Sequence, residues 1–157
     1  MKKIAERLIE LVDWPAERVI TGSAKDVGQA LRELLSAEDP DSAGTAYWKL
    51  ENHVVAQGSV FQAAEAVTRV LVSAFANDRP EFVKIAILDL LYQILTGEPD
   101  TSEVELGNQE LVQRCRLRAR EGLWLFFREL EIPGDAAADV LNAITNDNDP
   151  LETISAG

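Results

Sequence analysis

Apolar residues recur along this chain at three- and four-residue steps, the spacing that gathers them on one face of an α-helix. Ile4, Leu8, Leu11 and Val12 predict a short amphipathic helix over residues 3–12, which Pro15 follows, with Thr21-Gly22-Ser23 as a loop. Ser23 and Asp26 resemble a capping box opening a second helix, which carries Val27, Ala30, Leu31, Leu34 and Leu35 on one side. Residues 37–41 break it, and a third helix is predicted from Ser42 to Gln57, ended by Gly58. A fourth, over 60–76, puts Val60, Ala64, Val67, Leu71, Ala74 and Phe75 on one stripe. Asp78 as N-cap, Pro80 in the first turn and Glu81 at the capping-box position restart the chain as a fifth helix over 80–96. That helix is apolar nearly all round, so it is predicted at the centre, buried on several sides. Residues 97–107 read as the longest connection. A sixth helix is predicted over 108–131, stopped by Pro133-Gly134, and a short seventh over 135–145. No β-alternation stands out. The prediction is all-α: about seven helices in one domain over 1–145, with a polar tail over 146–157.

The helices fall into the pairs 24–57, 60–96 and 108–145, each in or just under the period of helical-hairpin repeats. In the middle pair, Asp78, Val83, Lys84, Ala86 and Leu90 resemble the second-helix signature of HEAT repeats, with Lys84 where arginine is usual. The resemblance implies a short α-solenoid of antiparallel pairs. An irregular helical bundle is the alternative.

Charge narrows the function. The 157 residues carry 27 acidic against 15 basic side chains, a formal net charge of −12. A protein that grips nucleic-acid phosphates needs a basic surface, so a nucleic-acid partner is not expected; a basic protein is. Cys115 stands alone, which rules out an internal disulfide and a multi-cysteine zinc site, and His53 is the one histidine. No metal and no cofactor are expected. Glu6, Arg7, Glu10 and Asp13 interrupt what would have to be a signal core, and no apolar run reaches the ~20 residues of a membrane span. The expected setting is cytoplasmic, with no membrane contact.

Candidate chemistry concentrates on the third helix. There Lys49, Asn52, His53 and Gln57 would line one face, with Tyr47 and Trp48 alongside. A polar strip flanked by aromatic side chains suits a recognition surface. His53 has no nucleophile or second ligand in register, and Glu51 would face across the helix, so catalysis is not expected. Asp89 lies on the otherwise apolar fifth helix, and a carboxylate buried there needs a partner. Arg114 with Arg118, and Arg116 with Arg120, form two faces of the sixth helix that could clamp it or the acidic loop. Internal ion pairing is favoured over an anion site. Gly122 is expected to admit a close helix, Trp124, Phe126 and Phe127 to enter the core, and Cys115 to be an inert buried thiol.

Two stretches are acidic without any base: Glu98, Asp100, Glu103, Glu105 and Glu110, then residues 129–157. Such an imbalance steers basic proteins. The longer pattern Tyr47-Trp48-Lys49-x-Glu51-Asn52-His53, Gln57-Gly58, Asp89-Leu90-Leu91, Gly97-Glu98, Gly107-Asn108 and Gly122-Leu123-Trp124 resembles a group of small bacterial HEAT-like proteins over residues 45–130. Some small acidic helical proteins of that kind resemble toxin-immunity proteins. The resemblance implies a non-catalytic protein that blocks the active site of a basic toxin domain. The third-helix strip (Tyr47, Trp48, Lys49, Asn52, His53, Gln57) and the acidic loop (Glu98, Asp100, Glu103, Glu105) are the expected contacts. A HEAT-type scaffold or regulatory subunit is the alternative. A helical-repeat DNA glycosylase or bilin lyase-like enzyme comes third.

Overall fold

The computed structural model describes residues 3–129 and 134–145. Nine α-helices and one small sheet occur among them: α1 Ile4–Leu11, α2 Val27–Leu35, α3 Pro40–Trp48, β1 Val55–Ala56, β2 Ser59–Val60, α4 Ala64–Ser73, α5 Glu81–Leu95, β3 Glu98–Pro99, α6 Thr101–Glu105, α7 Leu111–Arg120, α8 Leu123–Glu129 and α9 Ala136–Ile144. The protein is all-α in class. The polar tail from Asn146 and the Phe127 side chain lie outside the described residues.

The helices stack in two layers. In one, α5 is flanked by α3 and α9; in the other, α4 packs beside α7 and against α1, with α2 paired to α3. Helix α5 touches both layers, which accounts for its apolar circumference: Val83, Ile87, Leu88, Leu90, Leu91, Ile94 and Leu95 are all fully buried. It is the central helix, as its composition predicts. Its outward stripe is Glu81, Ile85, Asp89, Tyr92 and Thr96. Asp89 is therefore exposed, not buried. The helix starts one residue after Pro80 with no side-chain cap, so Asp78 does not cap it. At the start of α2, Asp26 makes no cap bond either, and Ser23 instead bridges to Arg18.

Two predicted helices are shorter than their periodicity suggests. Helix α3 begins on a well-made cap, with Asp39 accepting from the Ser42 N–H at 2.7 Å and Pro40 in the first turn. It ends at Trp48 instead of Gln57. Asn52 (φ 70°) and Gln57 (φ 49°) adopt left-handed backbone, which no right-handed helix contains. Gln57 and Gly58 (φ 83°) form a two-residue hairpin loop of the kind that needs positive φ at both positions. The strands β1 and β2 pair antiparallel, Val55 opposite Val60, and β3 adds in parallel, Ser59 opposite Glu98. This sheet had no counterpart in the sequence reading.

The predicted sixth helix breaks at Glu121-Gly122 into α7 and α8. Gly122 sits where a Cβ would come 2.3 Å from Val72 Cγ1, so α4 approaches as closely as its sequence suggests. Beyond the break the chain turns, carrying Phe126 into the core against Phe75 (ring centroids 5.4 Å apart) and leaving Trp124 70% exposed. Trp124 is not a core residue. Cys115 is fully buried and its thiol is pushed up to about 12 by that burial, an inert group.

Candidate protein-binding surface

The ten residues singled out in the sequence are dispersed over several places. Tyr47 and Trp48 lie on the last turn of α3 beside α5, Tyr47 half-buried against the core and Trp48 exposed. Lys49 caps the helix and pairs with Glu33 at 2.8 Å, an exposed contact of little energetic weight. Together with His53, it lines a cleft of about 750 Å³ along α2. Asn52, Gln57 and Asp100 line a different cleft, of about 530 Å³, with Ile20 and Phe61. The small sheet brings them together: Glu98 N–H donates to Gly58 O at 2.8 Å and Asp100 N–H to Val60 O at 2.9 Å. Parts of the third-helix strip and of the acidic loop therefore meet, though not on a helix face. Glu98 and Glu105 are exposed, and Asp100 caps α6 through Ser102.

Glu103 is not a contact residue. It is 1% exposed. Arg18 Nε and Nη2 donate to its two oxygens at 3.0 and 2.6 Å, Asn108 Nδ2 at 2.9 Å and the Gln62 N–H at 3.2 Å. Burial alone would push its carboxyl up, yet these donors together hold it below the usual value of 4.5. The arginines of α7 are likewise engaged inside the molecule, on a carboxylate the sequence did not single out. Arg114 and Arg118 both donate to Glu65, at 2.9 and 3.1 Å; Arg118 also meets Glu121, and Arg114 reaches Asn108. Arg116 donates to Leu95 O and Arg120 to Ile144 O, both at helix ends. None clamps Asp89.

The surface that emerges instead runs across α3, α5 and α9. Trp48 is 61% exposed, and on α5 Ile85 and Tyr92 are also exposed, one turn either side of Asp89. Tyr47 stacks edge-on against Trp48, with ring centroids 5.3 Å apart. Its hydroxyl donates to Asp89 Oδ2, and Gln93 Nε2 donates to both, at 2.6 Å to the hydroxyl and 3.0 Å to the carboxylate. Burial, then the neighbouring Asp89, pushes the Tyr47 hydroxyl far up, so it stays protonated and a donor. On the same three helices and their first turns, Asp41, Glu81, Asp135 and Asp139 are exposed and form no ion pair among the described residues. The two lysines of this layer are occupied: Lys49 by Glu33, and Lys84 by the buried Glu129 at 3.1 Å.

Among the described residues, no group of His, Cys, Asp and Glu could hold a metal ion, and no helix is long and apolar enough to cross a membrane. Compared with known proteins, the chain matches no family model, no curated protein and no solved structure. Geometry and charge alone bear on function. Sequence reasoning missed Ile85, Tyr92 and Asp89 as surface residues because α5 looked apolar all round; their spacing of four and three residues is the signal that marks one outward stripe.

Proposed function

We propose that this chain is a non-catalytic binding protein for a basic protein partner, and that the partner is a bacterial toxin domain whose active site it blocks in the cytoplasm. The observation that carries the reading is the α3–α5–α9 face: large exposed aromatics, exposed carboxylates on the same three helices, and the local lysines already paired. Exposed tryptophan beside tyrosine is the composition of binding hot spots, and unpaired like charge at the rim raises association rates with an oppositely charged partner. The toxin as partner rests on the HEAT-like resemblance, with α2–α3, α4–α5 and α7–α9 as the successive hairpins of a short solenoid. In this reading the plug is the α3–α5–α9 face, and Glu103 belongs to the scaffold behind it.

The test is affinity purification of the tagged chain from its own bacterium at low and at moderate salt, followed by mass spectrometry. One stoichiometric basic partner retained through the salt step is the expected result, and its toxicity in cells lacking this chain would establish immunity. No partner, or an acidic one, would overturn the reading.

A second reading, a scaffold that joins two proteins, is favoured by one observation. On the opposite layer Trp124 borders a groove of about 490 Å³ with Ile4, Leu8, Val72 and Leu125. A scaffold predicts that Trp48→Ser and Trp124→Ser each lose a different partner. An immunity protein predicts that Trp124→Ser loses none.

A further inference from the structure

Asp89 is held by two donors on one oxygen and by none on the other. Tyr47 and Gln93 both donate to Oδ2; Oδ1 accepts nothing among the described residues, and the side chain is exposed. A carboxylate fixed in this way has its rotamer chosen and one oxygen turned to solvent, a pre-organised acceptor. One ring away lies the exposed indole of Trp48, and Ile85 and Tyr92 bound the spot along α5. A second carboxylate adds to the negative potential: Glu51 acts on Tyr47, and its Oε2 is buried without a hydrogen-bond partner. Lys49, next along the chain to Trp48, is turned to Glu33. The place thus offers an aromatic face, a fixed carboxylate and uncompensated charge within one turn of two adjacent helices.

From this juxtaposition we infer that the α3–α5 junction is an anchor for an arginine side chain of the partner, its guanidinium stacked on Trp48 and donating to Asp89. Guanidinium suits the place better than ammonium. It is planar and weakly hydrated, so it stacks on an indole while its edge N–H groups meet a carboxylate; a lysine ammonium is a strongly hydrated point charge that cannot do both. The inference deepens the reading of a basic partner, which it needs for its biological occupant, by naming the side chain and where it seats.

N-acetyl-arginine amide and N-acetyl-lysine amide, titrated separately into the isotopically labelled full chain at matched ionic strength, test the anchor directly. The indole N–H signals are assigned with Trp48→Phe. Arginine amide should shift the Trp48 indole and the Ile85 and Tyr92 amides along one saturating curve. Lysine amide should bind about tenfold more weakly or less, and Asp89→Asn should weaken the arginine curve by about the same factor, which a stacked, charge-paired guanidinium requires. Asp89 is exposed, so the unshifted remainder of the spectrum reports that this variant keeps its fold; Tyr47→Phe, which frees the carboxylate, gives a second, milder loss. Equal response to both amides, no response, or shifts gathered at Trp124 would overturn the anchor. Failure here is separable from failure of the proposed function. A basic partner captured as well by Trp48→Ala and Asp89→Asn as by the parent sinks the anchor and leaves the binding function. An intact arginine titration with no basic partner captured does the reverse.

Discussion

At the junction of α6, α7 and the turn after α1, Glu103 is ringed by Arg18, Asn108 and the Gln62 N–H, whereas on the α3–α5–α9 face Glu81 and Asp139 meet solvent with no ion pair among the described residues. Both places come from acidic stretches or acidic helix positions and look interchangeable in a count of charges. They differ in what the carboxylate does. Glu103 ties residues 85 positions apart into one unit, and its charge is cancelled on the spot. Glu81 and Asp139 are exposed in the first turns of α5 and α9, and their field reaches outward. A net charge of −12 therefore overstates the charge available for binding, and its location matters more than its size.

The largest effect should come from breaking the closed side. Glu103→Gln keeps the shape but removes the charge that Arg18 and Asn108 meet, leaving these part-buried donors partly unmatched. A loss of about 2 kcal/mol in urea unfolding is expected, since a buried carboxylate gives up its charge-assisted hydrogen bonds, while the Arg18 end of the pair, 42% exposed, can still be met by water. The pH dependence should follow. The folded-state value lies below the usual 4.5, so folding favours the charged form. That contribution is complete above about pH 4.5 and is lost as pH falls through the folded value. Glu65, held low by Arg114 and Arg118 against the upward push of burial, works in the same sense. Unfolding midpoints between pH 3 and 6 should fall steeply for the parent and more gently for Glu103→Gln. Parallel curves would mean that Glu103 is not the acid-sensitive link.

A second, smaller loss is expected where α4 meets the α7–α8 break most tightly. Gly122→Ala places a methyl 2.3 Å from Val72 Cγ1, and overpacking of this kind costs about 1–3 kcal/mol. Adding Val72→Ala should recover part of it; no recovery would place the strain in the α7–α8 break instead of the contact.

Gly122 also shows how far a sequence carries. The close approach was legible because glycine inside a helical pattern needs a reason, and the central position of α5 was legible because only a helix touched on several sides is apolar all round. Glu103 was not: Arg18 and Gln62 are brought to it by tertiary structure, and nothing local distinguishes it from Glu105. At residues 49–57 the apolar steps Leu50, Val54 suit a helix, and the competing signals are small: adjacent β-branched Val54-Val55 and a Gln57-Gly58 turn. Those won because the left-handed Asn52 bars a helix from running on past the α3 end, and the hairpin buries Val54, Val55 and Val60 completely. Trp124 was misplaced for a related reason. A period carried across a helix break predicts the wrong face, because the axis beyond Gly122 is a new one. Among the site residues, Tyr47 and Trp48 could be found from composition; Asp89 could be found only by asking which side of α5 has a polar residue every turn.

The smallest stability effect, and the sharpest test of the contrast, belongs to the open side. Glu81→Gln with Asp139→Asn should change stability by no more than about 0.5 kcal/mol, since neither carboxylate has a partner to lose. Both changes should nevertheless slow association with the captured basic partner at low salt, with little effect on dissociation, because rim charges act on the encounter. The difference from the parent should shrink as salt rises, when the screening length falls to about 8 Å at physiological ionic strength and less above it. Glu105→Lys, on exposed α6 outside this face, should leave the same on-rate less affected than Glu81→Lys. If Glu105→Lys is the more damaging of the two, the partner sits on the acidic loop and the α3–α5–α9 face is not the docking surface. A double variant that is stable, yet associates like the parent at every salt concentration, would show that open carboxylates on this face are solvated ornament and that aromatic burial alone selects the partner.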